Sequence, residues 1–159
     1  MMVFVSMLSA VSAKEFNEPR WQTIFSDETE TLKLDVNTVS YDEELDTADV
    51  WMAKLNIHQP RQEVVHYIVY FGSTKVKVVD ALLYTPDSNV VVGRRNYDYF
   101  MDAKNNEVAN SVWNRAKQLT DRDTKKAVYE KKLKEEIEQA EQEWKNRPLL
   151  TINRTVESQ

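Results

Sequence analysis

The two histidines are the side chains whose spacing first suggests metal chemistry. His58 and His66 flank one predicted turn, which contains Pro60. If the strands on either side of this turn pair, the histidines could be neighbours, and Asp80 could complete a zinc site with a third ligand. The alternative is a pair of ordinary surface or half-buried histidines, which we favour because no sequence feature makes both rings face the same way. We predict no metal site and no cofactor.

An acidic segment offers a second possible ion site. The run DEELDTAD, from Asp42 to Asp49, has five carboxylates in eight residues, and carboxylate oxygens are good calcium ligands. It lacks the glycine at the sixth position and the spaced aspartates with which a calcium loop wraps its ion. We interpret the segment as a solvated turn between strands.

Other catalytic motifs are missing from the sequence. The chain has two glycines, Gly72 and Gly93, and no cysteine. There is therefore no G-x-S-x-G elbow, phosphate-binding loop, dinucleotide fingerprint or thiol nucleophile. We predict that the protein is not an enzyme; a small metal-dependent hydrolase built on the histidines is the remaining enzymatic alternative.

The composition is that of an ordinary globular protein. The chain has 159 residues, of which 42% are hydrophobic and 30% charged, enough to form one domain with a real core. Its net charge of -5 argues against nucleic acid as a partner, because phosphate binding requires a concentrated cationic surface.

The first 13 residues resemble the end of a secretory signal. MMVFVSMLSAVSA is apolar and ends in small residues, although it has no positive segment. We expect a mature chain that begins near Lys14 and a protein that is secreted, on the cell surface or in the periplasm; the alternative is a buried N-terminal strand or helix. The apolar run is shorter than the ~20 residues that a membrane-spanning helix needs, so we predict no integral membrane segment.

Six segments of the chain have the composition of strands. Short runs rich in valine, isoleucine, tyrosine and phenylalanine are separated by turn residues, which is typical of an antiparallel sheet. The runs are WQTIF from Trp21, the alternating segment from Leu32 to Val36, the segment from Asp49 to Ile57, Val64 to Phe71, Lys75 to Tyr84, and Asn89 to Arg95.

The last two predicted strands flank the turn signal Thr85 to Ser88 and should form a hairpin. Gly93 in its second arm suggests a bulge or a sheet corner. Lys75, Lys77, Arg94 and Arg95 could give this hairpin a cationic face that binds a protein. The alternative is that these charges protect a sheet edge from aggregation.

Two helices are predicted after the strands. Apolar residues from Val108 to Leu119, including Trp113, recur at helical spacing and should pack on the sheet, with Asn105 or Asn106 as the N-cap. Residues 121–147 have eight acidic and eight basic side chains and only a narrow apolar line, from Tyr129 to Trp144.

This charged helix has two interpretations. It packs along the domain through its apolar line, or it projects and docks a partner or a second copy through Leu133, Ile137 and Trp144. The predicted fold class is thus α+β, with an antiparallel sheet of about six strands, one packed helix and a long charged C-terminal helix. Its parts are a truncated signal at 1–13, the domain 14–120, the helix 121–147, and a short strand and tail at 148–159.

Several of these segments together resemble the surface-adhesin protein E family of small secreted bacterial proteins. They are Trp21, LDVNTV from Leu34, VWMAK from Val50, LLYTPDSNVVV from Leu82, and the helix with Trp113. The resemblance covers about residues 21–119.

The resemblance implies an exported, adhesin-like module that binds host extracellular-matrix or plasma proteins without catalysis. Relatives often carry a cysteine pair or a lipid-attachment cysteine, which this chain lacks, and the helix after Asp121 looks like an addition. The alternative function is that of a cell-envelope accessory protein that self-associates through its C-terminal helix.

Overall fold

A computed structural model of the chain describes residues 16–56, 58, 62–85 and 90–147. These residues form seven strands and two helices: β1 Trp21–Ser26, β2 Glu30–Asp35, β3 Ser40–Asp42, β4 Thr47–Asn56, β5 Gln62–Tyr70, β6 Lys75–Tyr84, β7 Val91–Asp102, α1 Glu107–Thr120 and α2 Arg122–Lys145. The predicted signal (1–13), the turn around Pro60, the tip of the β6–β7 hairpin and the predicted strand and tail at 148–159 lie outside the described residues.

All seven strands belong to one antiparallel sheet in the order β1-β2-β4-β5-β6-β7, with β3 also paired to β4. The predicted α+β class with an antiparallel sheet and a packed helix is confirmed. The sheet has one strand more than the six predicted, because the three residues of β3 pair with the beginning of β4. β7 also runs to Asp102, beyond the predicted end at Arg95, because its second half pairs with the beginning of β6.

Alternation along the strands gives the sheet two different faces. On the first face, Val50 and Met52 of β4 are fully buried with α1, whose Ala109, Val112 and Ala116 complete this core. Trp51 and Ala53 point to the second face. That face has a smaller apolar cluster, to which Phe16 and Trp21 contribute.

α1 begins where the sequence predicts. Asn106 is its N-cap, and the side-chain oxygen of Asn106 accepts a hydrogen bond from the amide of Ala109 at 2.9 Å. The helix ends at Thr120, and the next residue, Asp121, has a left-handed backbone (φ 49°). This residue separates α1 from α2, because an aspartate adopts such a conformation more readily than most residues and a helix cannot continue through it.

Candidate protein-binding surfaces

The four basic residues of the β6–β7 hairpin do not form one cluster. Lys75 and Lys77 are on the second face of β6, where Lys77 lies opposite Phe100. Arg94 points to the same face and Arg95 to the other, since adjacent residues of a strand alternate. Lys77 and Arg94 are about 16 Å apart along the sheet, because Arg94 lies opposite Leu82, five positions beyond Lys77.

Three of these four cations already have acidic partners. Lys77 pairs with Asp98 at 2.8 Å, which raises the pKa of Lys77. Arg95 lies 3.4 Å from Glu63 and donates a hydrogen bond to the hydroxyl of Tyr97. Lys75 is exposed and forms no ion pair with any described residue. The predicted cationic face is therefore largely neutralised by acidic side chains of β5, β6 and β7.

Arg94 pairs with Asp80, and this pair is the centre of a polar cluster on the second face. The side chain of Asp80 is 4% exposed and that of Arg94 is 65% exposed. His66 lies beside them, with Nδ1 3.8 Å from Asp80 and Nε2 2.8 Å from Asp49. The Trp51 ring stacks on the His66 ring, with 4.6 Å between the ring centroids. The cluster gives the buried Asp80 carboxylate a counter-charge and fixes the imidazole between two carboxylates.

This geometry tests the arrangement considered for a zinc site, in which His58 and His66 are neighbours and Asp80 is the third ligand. His66 aligns with Trp51 on β4 and with Asp80 on β6, whereas His58 follows the end of β4 and donates its amide to the side chain of Asn56. The sequence thus places Asp80 beside His66 correctly, but the two histidines are not cross-strand neighbours. Within the described part of the chain, no three histidine, aspartate or glutamate side chains are grouped so that they could hold a metal ion.

The acidic segment contains the anchor of α2. Asp46, in the turn between β3 and β4, accepts hydrogen bonds from Nε of Arg122 at 2.9 Å and from the hydroxyl of Tyr41 at 2.8 Å. The guanidinium of Arg122 holds the pKa of Asp46 below its usual value. Burial, together with the hydrogen bond to Asp46, raises the pKa of Tyr41 to about 12. Lys126 adds a hydrogen bond to the carbonyl of Glu43, so the turn holds the first part of α2.

Beyond this anchor, α2 presents its apolar residues to solvent. The helix has no buried residue, and Leu133, Ile137 and Trp144 are 42%, 51% and 72% exposed. Ile137, Ala140 and Trp144 line one shallow apolar depression. The helix contacts α1, but its apolar line is not covered by the described part of the domain. No described helix has the length and apolar content needed to cross a membrane.

A second exposed apolar surface follows β7, the last strand of the sheet. We call it the β7 surface and define it as Val91, Val92, Tyr99 and Phe100, which are all exposed. These side chains flank the edge of β7 on both faces of the sheet, since Phe100 lies opposite Lys77 on the second face and Tyr99 lies opposite Val78 on the first. Phe100 contacts Tyr70 at 5.9 Å and lies under the Lys77 ammonium group. β7 pairs with β6 on one side, and no other described strand pairs with its second side. The sequence predicted only the beginning of this strand and missed its aromatic part.

Searches of protein-family models, curated proteins and solved structures find no match to this chain. The resemblance to the surface-adhesin protein E family therefore stays a prediction from the residues quoted above.

Proposed function

We propose that this protein is an exported, adhesin-like interaction module that binds a protein partner through the β7 surface. The observation that carries the proposal is the combination, on one terminal strand, of large exposed apolar side chains and an edge with which no described strand pairs. Such edges bind extended segments of other proteins by strand addition, and aromatic side chains supply much of the binding energy. Unprotected edges are otherwise avoided because they aggregate.

The charges of β7 fit binding better than aggregation. Arg94, Arg95 and Asp98 lie between the valine and the aromatic ends of the strand, and charged residues on an edge discourage pairing with an arbitrary second strand. A partner strand would therefore have to match both ends of β7 and the charges between them. This requirement supports selective binding of one class of extended segment.

Export rests on the signal-like residues 1–13 and on the family resemblance. Because residues 1–13 lack the positive start of a signal, export is tested by expression in a bacterium of the chain preceded by a short lysine-containing segment. The cells are then fractionated and the protein is sequenced from its N-terminus. We expect the protein outside the cytoplasm with an N-terminus near Lys14. Full-length protein confined to the cytoplasm would contradict this part of the proposal.

The binding proposal is tested on a panel of purified extracellular-matrix and plasma proteins by biolayer interferometry. We expect saturable binding that Val92→Asp and Phe100→Asp each weaken at least tenfold, or about 1.4 kcal/mol. The matched control is Leu45→Asp, which changes an apolar residue on the β3–β4 turn that is more exposed (69%) than Val92 or Phe100. Binding that is lost in the control but kept in the β7 variants would move the site away from β7, and no binding by any panel member would refute adhesion.

Lys75 tests the contribution of charge separately. It is the hairpin cation without an acidic partner among the described residues, so Lys75→Glu leaves the internal ion pairs intact. If an acidic partner is attracted to this face, the substitution slows association at low salt and has little effect at 0.5 M salt. An unchanged association rate at low salt would remove charge from the proposal.

A further inference from the structure

α2 carries a stripe of apolar side chains that the described domain leaves uncovered. Its members, at spacings of four, four, three and four, are Tyr129, Leu133, Ile137, Ala140 and Trp144. At 100° per residue they fall within a sector of about 80° on one side of the helix. The mean spacing exceeds 3.5 residues, so the stripe does not require a left-handed supercoil.

The charges of α2 are divided between its two halves. From Arg122 to Lys134 there are six basic and two acidic residues, a net charge of +4. From Glu135 to Lys145 there are five acidic residues and one basic residue, a net charge of -4. Two such helices side by side attract each other in the antiparallel orientation and repel each other in the parallel one.

One flank of the apolar stripe is also basic in the first half of α2 and acidic in the second half. Lys125, Lys132, Glu136 and Glu143 fall within a sector of about 40° on one flank of the stripe. In an antiparallel pair related by a two-fold axis, this flank of one helix lies against the same flank of the other. Lys125 then meets Glu143 of the second copy, and Lys132 meets its Glu136.

One register satisfies both the charges and the apolar side chains. The midpoint of positions 125 and 143 is 134, and so is the midpoint of 132 and 136. A two-fold axis that passes beside Lys134 therefore produces both pairs, Lys125 with Glu143 and Lys132 with Glu136. The apolar pair of Leu133 with Ile137 of the second copy is centred within one residue of this position. A single axis therefore aligns four ion pairs and the centre of the apolar stripe.

From this agreement we propose that α2 binds α2 of a second copy of the chain in an antiparallel pair. Each domain is attached at the N-terminal end of its own α2. The two domains therefore lie at opposite ends of a helical pair about 36 Å long. A dimer of this kind presents two β7 surfaces, and two linked sites bind a multivalent target more tightly than one does.

Self-association is measured by sedimentation equilibrium on the full chain between about 1 and 200 μM, without any partner protein. One narrow stripe per helix gives an interface at the small end of the usual range, so we expect a reversible dimer with a Kd of the order of micromolar. The variant Lys125→Glu/Lys132→Glu has an entirely acidic flank and should raise the Kd at least tenfold. The variant Glu136→Lys/Glu143→Lys has an entirely basic flank and should do the same.

An equimolar mixture of these two variants should restore the dimer, because the acidic flank of one meets the basic flank of the other. The restoration separates lost pairing from lost folding. Lys131→Glu is the matched control for Lys132→Glu. Each lysine has an ion pair four residues along the helix, with Glu135 and Glu136 respectively, but Lys131 faces away from the stripe.

The orientation is tested with a single spin label, which the absence of native cysteine makes possible. A label at Lys145→Cys should give an interchain distance of about 35 Å in the antiparallel pair. A distance below about 15 Å would show a parallel pair. That result, a monomer at 200 μM, or a dimer equally affected by Lys131→Glu and Lys132→Glu would each overturn the proposal.

Discussion

Replacement of Asp46 by asparagine tests how α2 is attached to the sheet. The carboxylate of Asp46 accepts hydrogen bonds from Arg122 at two atoms and from Tyr41. Asparagine keeps the shape and one acceptor oxygen but removes the charge. It also tolerates the left-handed backbone at this position, where φ is 53°, so the substitution does not add backbone strain.

The expected loss follows from the burial of the pair. The side chains of Arg122 and Asp46 are 24% and 14% exposed, so solvent screens their interaction only partly. Hydrogen bonds to charged groups contribute about 1.5–3 kcal/mol. We expect Asp46→Asn to lower the free energy of unfolding by about 2 kcal/mol at pH 7, and the melting temperature by about 4–8 °C.

The pH dependence provides an independent check on the cause. The pKa of Asp46 is lower in the folded protein than in the unfolded chain. The charged pair therefore stabilises the fold fully above the unfolded value, near 4, and this stabilisation is lost as the pH falls through the folded value. The difference between the wild type and Asp46→Asn should be constant from pH 7 to about pH 5 and shrink below about pH 4.

Urea unfolding, monitored by tryptophan fluorescence, measures the free energy of unfolding at pH 7 and its dependence on pH. Asp123→Asn is the control. Asp123 also accepts a hydrogen bond from Arg122, at 2.9 Å, but its side chain is 63% exposed, so we expect a loss below about 1 kcal/mol. The reasoning fails if Asp46→Asn costs less than the control. It also fails if the difference persists undiminished at the lowest pH at which both proteins fold.

Four further substitutions, the last with Arg95→Ala as its control, address other parts of the fold, and each is measured by urea unfolding. Leu34→Ala empties a fully buried position of the first-face core and should cost about 3 kcal/mol; a loss below about 1 kcal/mol would contradict this packing. Asn106→Ala removes the N-cap of α1 and should cost about 1 kcal/mol, with no effect expected if the cap is not formed. Thr74→Asn should stabilise by a few tenths of a kcal/mol to about 1 kcal/mol, because Thr74 is β-branched and has a positive φ of 54°; destabilisation would show that its side chain has another role. Arg94→Ala should lower the free energy of unfolding by about 1–2 kcal/mol, since it leaves the buried Asp80 without its guanidinium partner. Arg95→Ala should lower it by less than about 0.5 kcal/mol. Equal losses in the two variants would refute the structural role of Arg94.

A period of two along β4 separates two sets of side chains, but both sets contain apolar residues, so the sequence does not show which set packs against α1. Val50 and Met52 alternate with Trp51 and Ala53, and the structure places the first pair in the α1 core and the second pair on the opposite face. The same reasoning fails for β7. Its segment NYDYFMD contains two aspartates and an asparagine, which obscure the alternation, and only the backbone pairing with β6 makes it a strand.

The pairing of Arg94 with Asp80 was missed for a different reason. β6 and β7 change register between Val78 and Asp80. Asp80 therefore shares a face with Lys77, although the two residues are an odd number of positions apart. A bulge of this kind reverses every later face assignment on the strand. Its position depends on the neighbouring strands, so residue types alone could not show that Arg94 is the partner of a buried carboxylate.

Because α2 is exposed, its stability should depend on the proposed pairing with a second copy. The structure holds the helix at its N-terminal end, through Arg122 and Lys126. Further along, its ion pairs four residues apart have separations of 3.6–3.9 Å and contribute only about 0.3–0.5 kcal/mol each. A mostly wet helix of this kind is marginal by itself, because helices depend chiefly on the packing of an apolar face. Pairing with a second copy would bury the stripe that ends at Trp144, so dimerisation and order in the second half of α2 should rise together.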